Sequence, residues 1–427
     1  MQALQRTFLV VIPTRNRAQL AKAAIESVLQ AAIPHVKVLV SDNSTETTES
    51  ATLRSICQQH SQSEVVYLRP ERPLSMATHW DWVMQEALKD SRITHFFYLT
   101  DRMVFKPGAL ERFCQLAQHY PEQVITCSHD RLNDNEEPIT VTQHSWTNNV
   151  YEITSRSTLK TCASMQFDHF LPRMLNSVVP RVVMERFLDR FGNCFSSFAP
   201  DFNFCFRYLL LFDSFIFVDR ALLVHYAIAQ SNGATQQASG SPNKDNEDLP
   251  RTQSGKFYLE GTLFPEFITV GNIIIYEYLQ LQNHDRTQRF PEINKVKYLE
   301  YLEKEVGEIK DSERRTEWKN ILRHHHNGKS VRREWNHSVR KTRNPMYARV
   351  TKLARRIAEV GINVNPAFIL RITPSRLRQR LAANKWRFKD SRRALFCAMY
   401  FECPRVLDFP REHYPEIECT VLTESVR

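Results

Sequence analysis

Glycine is scarce in this chain, at 10 of 427 residues. Neither G-x-G-x-x-G nor G-x-x-x-x-G-K-[ST] occurs. Without a glycine turn to expose backbone amides, a dinucleotide or P-loop phosphate cradle lacks its physical basis. The nine cysteines form no C-x-x-C pair and are scattered through apolar segments, which suits reduced, buried thiols and not a disulfide framework or zinc site. No apolar run approaches the ~18 residues of a spanning helix. The longest are interrupted by Asp213 and Asp219, or by Gly271, Asn272 and Glu277. The start of the chain shows no charged-then-apolar leader, so a cytoplasmic location is expected. No internal repeat is visible.

What is present is enough apolar material, 42% of residues, to build large cores, in a length that suits more than one domain. The charge is unevenly placed. Residues 314–393 hold 23 Lys/Arg against 4 Asp/Glu, a surplus of 19; the whole chain is +10, so everything outside that segment sums to −9. Such asymmetry points to an anionic surface as partner for the carboxyl-terminal part.

The first 130 residues alternate between two periodicities. Strands are expected at 7–14, 36–42, 64–69, 94–100 and 123–128, and helices at 18–33, 46–60, 76–90 and 108–119. Repeated strand–helix units of this length predict a mostly parallel sheet sandwiched by helices. The stretch DRLNDNEEPIT (130–140) is polar and irregular, with room for strands at a sheet edge. An apolar helix is expected around 202–212 and a strand near 214–226. Residues 236–255 are rich in Ser, Asn, Gln and Gly and read as a flexible loop. From 256 to 427 the pattern is helical and basic, with INKVKYLEYLEKEVGEIK (293–310) clearly amphipathic.

Four of the strands end in polar residues: Pro13, Thr14, Arg15, Asn16 and Arg17; Asp42, Asn43 and Ser44; Arg69 with the loop PERPLSM; and Thr100, Asp101 and Arg102. In open α/β sheets, ligands bind outside the carboxyl ends of the strands. Cations beside carboxylates suit a nucleotide, which offers phosphates to the one and ribose or base donors to the other. The bland alternative is that these are capping and turn residues.

The ordered segments VVIPTRNR, LVSDNST, LRPERPLSMATHWDWVMQEA and YLTDRMVFKPGALERF resemble those of family 2 glycosyltransferases, over about residues 1–235. The resemblance implies a GT-A-type, Rossmann-like α/β domain that uses a nucleoside-diphosphate sugar, with a UDP-sugar favoured. It implies that Pro13, Thr14, Arg15 and Arg17 line the nucleotide pocket. Asp42 would hold the base, with Asn43 and Ser44 nearby and Ser75 and Met76 flanking base and ribose. Asp101 falls at the acidic motif that usually carries a divalent cation, Mn²⁺ or Mg²⁺, on the diphosphate.

Here the chain departs from the family's pattern. Asp101 is followed by Arg102 and Met103, where two or three acidic residues are usual. A hard cation wants several oxygen ligands, and methionine supplies none. Either Asp101 holds a metal with a remote partner such as His225, or Arg102, together with Lys106, neutralises the leaving diphosphate.

Inverting transfer also needs a general base opposite the leaving group. The resemblance places an acid at the start of a helix after the sheet, and Asp201 in FAPDFNFCFRYLL fits; a plain N-terminal cap is the other reading. SNGAT (231–235) reads either as a lid or as a surface loop. His324, His325 and His326 are adjacent and so do not share one helix face, which disfavours a metal site.

In the basic segment, ARVTKLARRIAEVGI (348–362) and LRITPSRLRQRLAANKWRF (370–388) have the spacing of basic amphipathic helices. They suit an anionic membrane surface or a helical region packed on the catalytic half. Nucleic acid is not favoured, since no recognition motif accompanies the basicity. The expected activity is sugar transfer, of hexosyltransferase type, to a glycan or lipid-linked acceptor hydroxyl. The alternative is a lapsed, nucleotide-sugar-binding adaptor. A nucleotidyltransferase would need a Gly- and Lys-rich phosphate loop that is absent.

Overall fold

A computed structural model describes residues 6–60, 65–134, 136–144, 146–231, 251, 257–326, 383–388, 394–395, 398–399 and 417–422. One mixed sheet organises them. Its central path runs β12 (Cys419–Leu422), β8 (Val150–Thr154), β10 (Ser214–His225), β6 (Ile125–Asn133), β9 (Ser177–Pro180), β4 (Ile93–Tyr98), β1 (Thr7–Thr14), β2 (Val36–Asp42) and β3 (Val65–Leu68). β5 (Met103–Phe105) pairs with β10, β7 (Ile139–His144) with β6, and β11 (Ala383–Phe388) with β7.

The β3-β2-β1-β4 side is parallel throughout, as is β6 beside β10. β9 is inserted between these two blocks and runs antiparallel to both β4 and β6. The polar stretch after residue 130 supplies the end of β6 and the strands β7 and β8.

Alternation along each strand divides the core between the two faces. Leu9, Val11, Phe96, Tyr98, Phe215 and Phe217 face one layer. There lie α3 (Met76–Leu88), α5 (Ser155–Ala163), α6 (Arg181–Phe191), α7 (Pro200–Leu211) and α8 (Val270–His284). Phe8, Val10, Ile12, Phe97, Ile216 and Val218 face the other, covered by α1 (Ala18–Leu29), α2 (Thr47–Gln59) and α4 (Ala109–His119). Each fully buried aliphatic or aromatic side chain of this kind contributes about 1.5–3 kcal/mol. A satellite core joins α8 to α9 (Lys295–Glu308) and α10 (Ser312–His326) through Phe267, Ile275, Leu302 and Trp318.

Local chemistry sets the helix ends. Pro200 opens α7, where its missing N–H costs nothing. Gly192 closes α6 in the left-handed conformation, φ 76°.

The final six residues of the segment read as a basic helix, Ala383–Phe388, form β11 instead, with Ala383 opposite His144 and Phe388 opposite Ile139. Pairing with an available edge overrides local helical spacing. Residues 348–362 and 370–382, and the loop 236–250, lie outside the described residues. So do 232–235 of the SNGAT segment and the side chains of His325 and His326. His324 is exposed, with its Nδ1 against the Asn320 carbonyl at 2.8 Å.

Candidate active site

Register brings the strand ends together. Thr14 lies opposite Asp42, and Val11 opposite Tyr98, so the loops after β1, β2 and β4 leave the same sheet edge. The Asn43 N–H donates to the Thr14 carbonyl at 2.9 Å, which carries the alignment one residue beyond the strands.

Asn16, in the left-handed region at φ 55°, ties the first loop to the second. Its Oδ1 accepts from the backbone N–H groups of Thr45 and Glu46 at 2.9 and 3.1 Å, and its own N–H donates to Ser44 Oγ at 2.9 Å. Asparagine tolerates this conformation better than most side chains. Asn43 secures the third loop: its Nδ2 donates to the Leu74 carbonyl, and its Oδ1 accepts the Leu74 N–H, both at 2.8 Å. Leu74 precedes Ser75, which caps α3, and Met76, the first residue of that helix. His79 of α3 bonds Ser41 Oγ at 2.7 Å; burial holds its imidazole down to about 4, so it stays neutral.

Asp42 is sealed from solvent. Its carboxylate accepts from the Ser44 N–H (2.9 Å), Ser50 Oγ (2.6 Å) and Tyr67 Oη (2.6 Å), and Arg69 stands 3.7 Å away. Burial opposes its charge, but hydrogen bonds from Ser44, Ser50 and Tyr67 prevail and hold it below the ordinary carboxylate range. Ser50 and Tyr67 escaped the sequence reading. A strand's period of two places Tyr67 and Arg69 on one side, which was the available signal for Tyr67.

Asp101 is also buried, at 2% exposure. Thr14 Oγ1 donates to it at 2.8 Å, Arg17 Nη1 at 3.4 Å, and Arg102 Nε lies at 4.0 Å. Here burial dominates over Arg17, Thr14 and Arg102 and raises the carboxyl above its usual value. Tyr226 supports the turn from below: its hydroxyl donates to the Asp101 and Leu20 carbonyls, and its N–H donates to the Arg102 carbonyl at 3.0 Å. Lys106 is instead buried against Asp130 at 2.5 Å.

Asp201, in the first turn of α7, accepts the Leu175 N–H at 3.0 Å and faces Arg173 Nη1 at 3.5 Å. Its carboxyl is raised by burial, against the pull of Arg173 and the backbone N–H groups of Leu175 and Met174. Arg173, which no sequence motif marks, also lies over the Phe202 ring at 5.4 Å.

His225, at the end of β10, lies near the arginines of both clusters. It sits opposite Met103 in the β5–β10 pairing and stacks on His129 at 4.0 Å, with His169 edge-on to His129 at 4.8 Å. Burial, then the charges of Arg173 and Arg102, push its imidazole well below the ordinary value. His225 therefore feels both Arg102, beside Asp101, and Arg173, beside Asp201.

The donor set around Asp101 fits a divalent cation poorly. One carboxylate stands between two guanidiniums, and His225, its imidazole held down by burial and by the Arg173 and Arg102 charges, stacks on His129. Among the described residues no group of three or more His, Cys, Asp or Glu is arranged to hold a metal. No helix among them is long and apolar enough to cross a membrane.

Among solved structures, the chain is similar to S. aureus TarS. It matches TarS 1–349 in complex with UDP-GlcNAc at 13% identity and TM-score 0.41, over 71% of this chain and 81% of that one. TarS 1–349 alone gives 12% and 0.40 over the same shares. A longer TarS structure gives 13% and 0.40, over 71% of this chain and 49% of that one. A search of the curated proteins finds no match. The family model described as "Glycosyl transferase family 2" matches residues 9–176, which span the strand-end loops from β1 to β5.

Proposed function

We propose that the protein transfers a sugar, of hexosyl type, from a nucleoside-diphosphate sugar to an acceptor hydroxyl with inversion at the anomeric carbon. The observation that carries this is the meeting of Thr14, Arg17, Asp101 and Arg102 at one sheet edge, inside the family 2 segment. Guanidiniums there suit a diphosphate, and Asp42 in the neighbouring loop suits a base or ribose. A UDP-sugar is the favoured donor.

In the displacement, Asp201 takes the acceptor proton as the new C–O bond forms. The bond from the anomeric carbon to phosphate breaks on the opposite face, and the diphosphate departs with its electron pair. Burial of the Asp201 carboxyl favours its accepting a proton. Arg102 and Arg17 offset the negative charge that grows on the leaving group.

The acceptor belongs to cell-surface or lipid-linked glycan synthesis in this reading. The basic segment 314–393 would bring the enzyme to an anionic membrane face from the cytoplasmic side. Its described start, α10, presents exposed Lys319 and Arg323.

A thermal-shift screen over nucleotides and nucleotide sugars tests the donor. A ligand at 100 times its dissociation constant adds about 2.7 kcal/mol of stability. Slow hydrolysis of the stabilising nucleotide sugar without acceptor identifies an enzyme. Stabilisation with no turnover at high protein concentration identifies the adaptor instead, and no stabilisation by any of them rejects the donor altogether.

A further inference from the structure

The geometry points to a metal-independent diphosphate site, in which Arg17 and Arg102 take the place of a divalent cation and Asp101 serves as their counter-ion. This rests on the donor reading above and deepens it.

Asp101 is only 3% exposed at its side chain, whereas Arg17 and Arg102 are 27% and 18% exposed. The carboxylate therefore lies behind, and the guanidiniums stand between it and any ligand arriving from solvent. A metal ligand needs the reverse order, with the carboxylate oxygens foremost. Both oxygens are also engaged: Oδ2 accepts from Thr14, and Oδ1 faces Arg17 and Arg102.

Charge points the same way. Two guanidiniums on one carboxylate leave the cluster at +1, which attracts the doubly negative diphosphate of a nucleotide sugar. A divalent cation beside Asp101 would face both guanidiniums at close range, a repulsion that a poorly solvated site screens weakly.

The two arginines are held for this task from separate directions. Arg17 Nη2 donates to the Gln230 carbonyl at 2.9 Å, beyond the end of β10. The Arg102 backbone is fixed by the Tyr226 N–H at 3.0 Å. Arg102 Nε is buried on the Asp101 side, 4.0 Å from Oδ1, so it is the exposed part of the guanidinium that can meet a phosphate oxygen. A fixed guanidinium presents two parallel N–H donors to two phosphate oxygens, a planar fork that a lysine ammonium lacks.

The test is titration calorimetry of the full chain with UDP, run once in EDTA and once in Mn²⁺. The expected dissociation constants agree within about threefold. The Arg102→Gln and Arg17→Gln variants should each bind about 10–100-fold more weakly, as expected for loss of a charge-assisted hydrogen bond, with no recovery in Mn²⁺. Arg102→Lys keeps the charge without the fork and should fall between; thermal melting establishes that each variant is folded. Binding more than tenfold weaker in EDTA than in Mn²⁺ overturns the inference and leaves the donor reading intact. So does full affinity in Arg102→Gln. Absence of binding in both buffers overturns the donor reading, and this inference with it.

Discussion

Arg173, at the entry to the 3-10 turn Met174–Asn176, stands 3.5 Å from the carboxylate of Asp201 in the first turn of α7. The proposed base is thus paired with a cation that lowers its proton affinity while burial raises it. The backbone N–H of Leu175 holds the carboxylate in place at 3.0 Å.

Turnover should depend on that balance. Asp201→Asn preserves an oxygen for the Leu175 N–H but cannot take a proton, so kcat should fall more than about 100-fold while nucleotide affinity is kept. Because the Asp201 carboxyl is raised and must be ionised to act, kcat should fall on the acid side at a pH above the ordinary aspartate range of about 3.9. Arg173→Gln removes a lowering influence, so the acid limb should move to higher pH. A pH–kcat profile for both proteins measures the direction, and a limb that stays in place removes Arg173 from this role.

Tyr67→Phe deletes one of three hydrogen bonds to the buried Asp42. A loss of about 1.5–3 kcal/mol is expected for a bond to a charged group, read by urea denaturation at neutral pH. The Asp42 carboxyl lies below its unfolded value, so its stabilising share is present above the ordinary aspartate range and fades as pH falls through the folded value. The wild-type and variant unfolding curves should therefore converge in acid.

Glu277 of α8 has the opposite sign. It accepts from Asn203 Nδ2 of α7 at 2.9 Å and from Ser197 Oγ, and burial raises it to about 7. Folding then favours its protonated form. Its contribution is complete below the unfolded value of about 4.3 and is lost as pH climbs to about 7, by about 1.4 kcal/mol per pH unit at most. Glu277→Gln should flatten that slope and make the protein more stable than wild type near pH 8. Equal slopes in urea titrations from pH 5 to 8 would exclude it.

Gly271, in the first turn of α8, has no room for a methyl group. A Cβ there would meet the Tyr301 ring and come within 2.7 Å of Glu305 Oε2. The Gly271 N–H donates to that same carboxylate at 2.9 Å. Alanine is the better helix former by about 1 kcal/mol, but crowding a packed site costs typically 1–3 kcal/mol. Gly271→Ala should therefore lower the melting temperature, with nucleotide binding at the distant sheet edge unchanged.

The first four strands were legible because Leu9 and Val11 alternate with Phe8, Val10 and Ile12, a pattern only two buried faces produce. Thr14, Arg17 and Asp101 could be placed at one edge because parallel strands align their ends. Arg173 could not. It sits in an irregular stretch before a short 3-10 turn at Met174–Asn176, where periodicity carries no signal. Nor could β9, whose antiparallel insertion depends on four residues with no pattern of their own. The direction in which a side chain turns was equally hidden: Lys106 lies four residues after Arg102, yet it closes on Asp130 and not on Asp101.

β12 comes from the last nine residues of the chain, and it pairs with β8 from Val150 to Ile153; just before it, the Glu418 carbonyl accepts the Thr154 N–H at 3.1 Å. Trimming the tail at residue 416 would thus do more than discard an appendage. It would strip β8 of its outer neighbour and leave a naked row of amides open to any passing chain, a template for self-association.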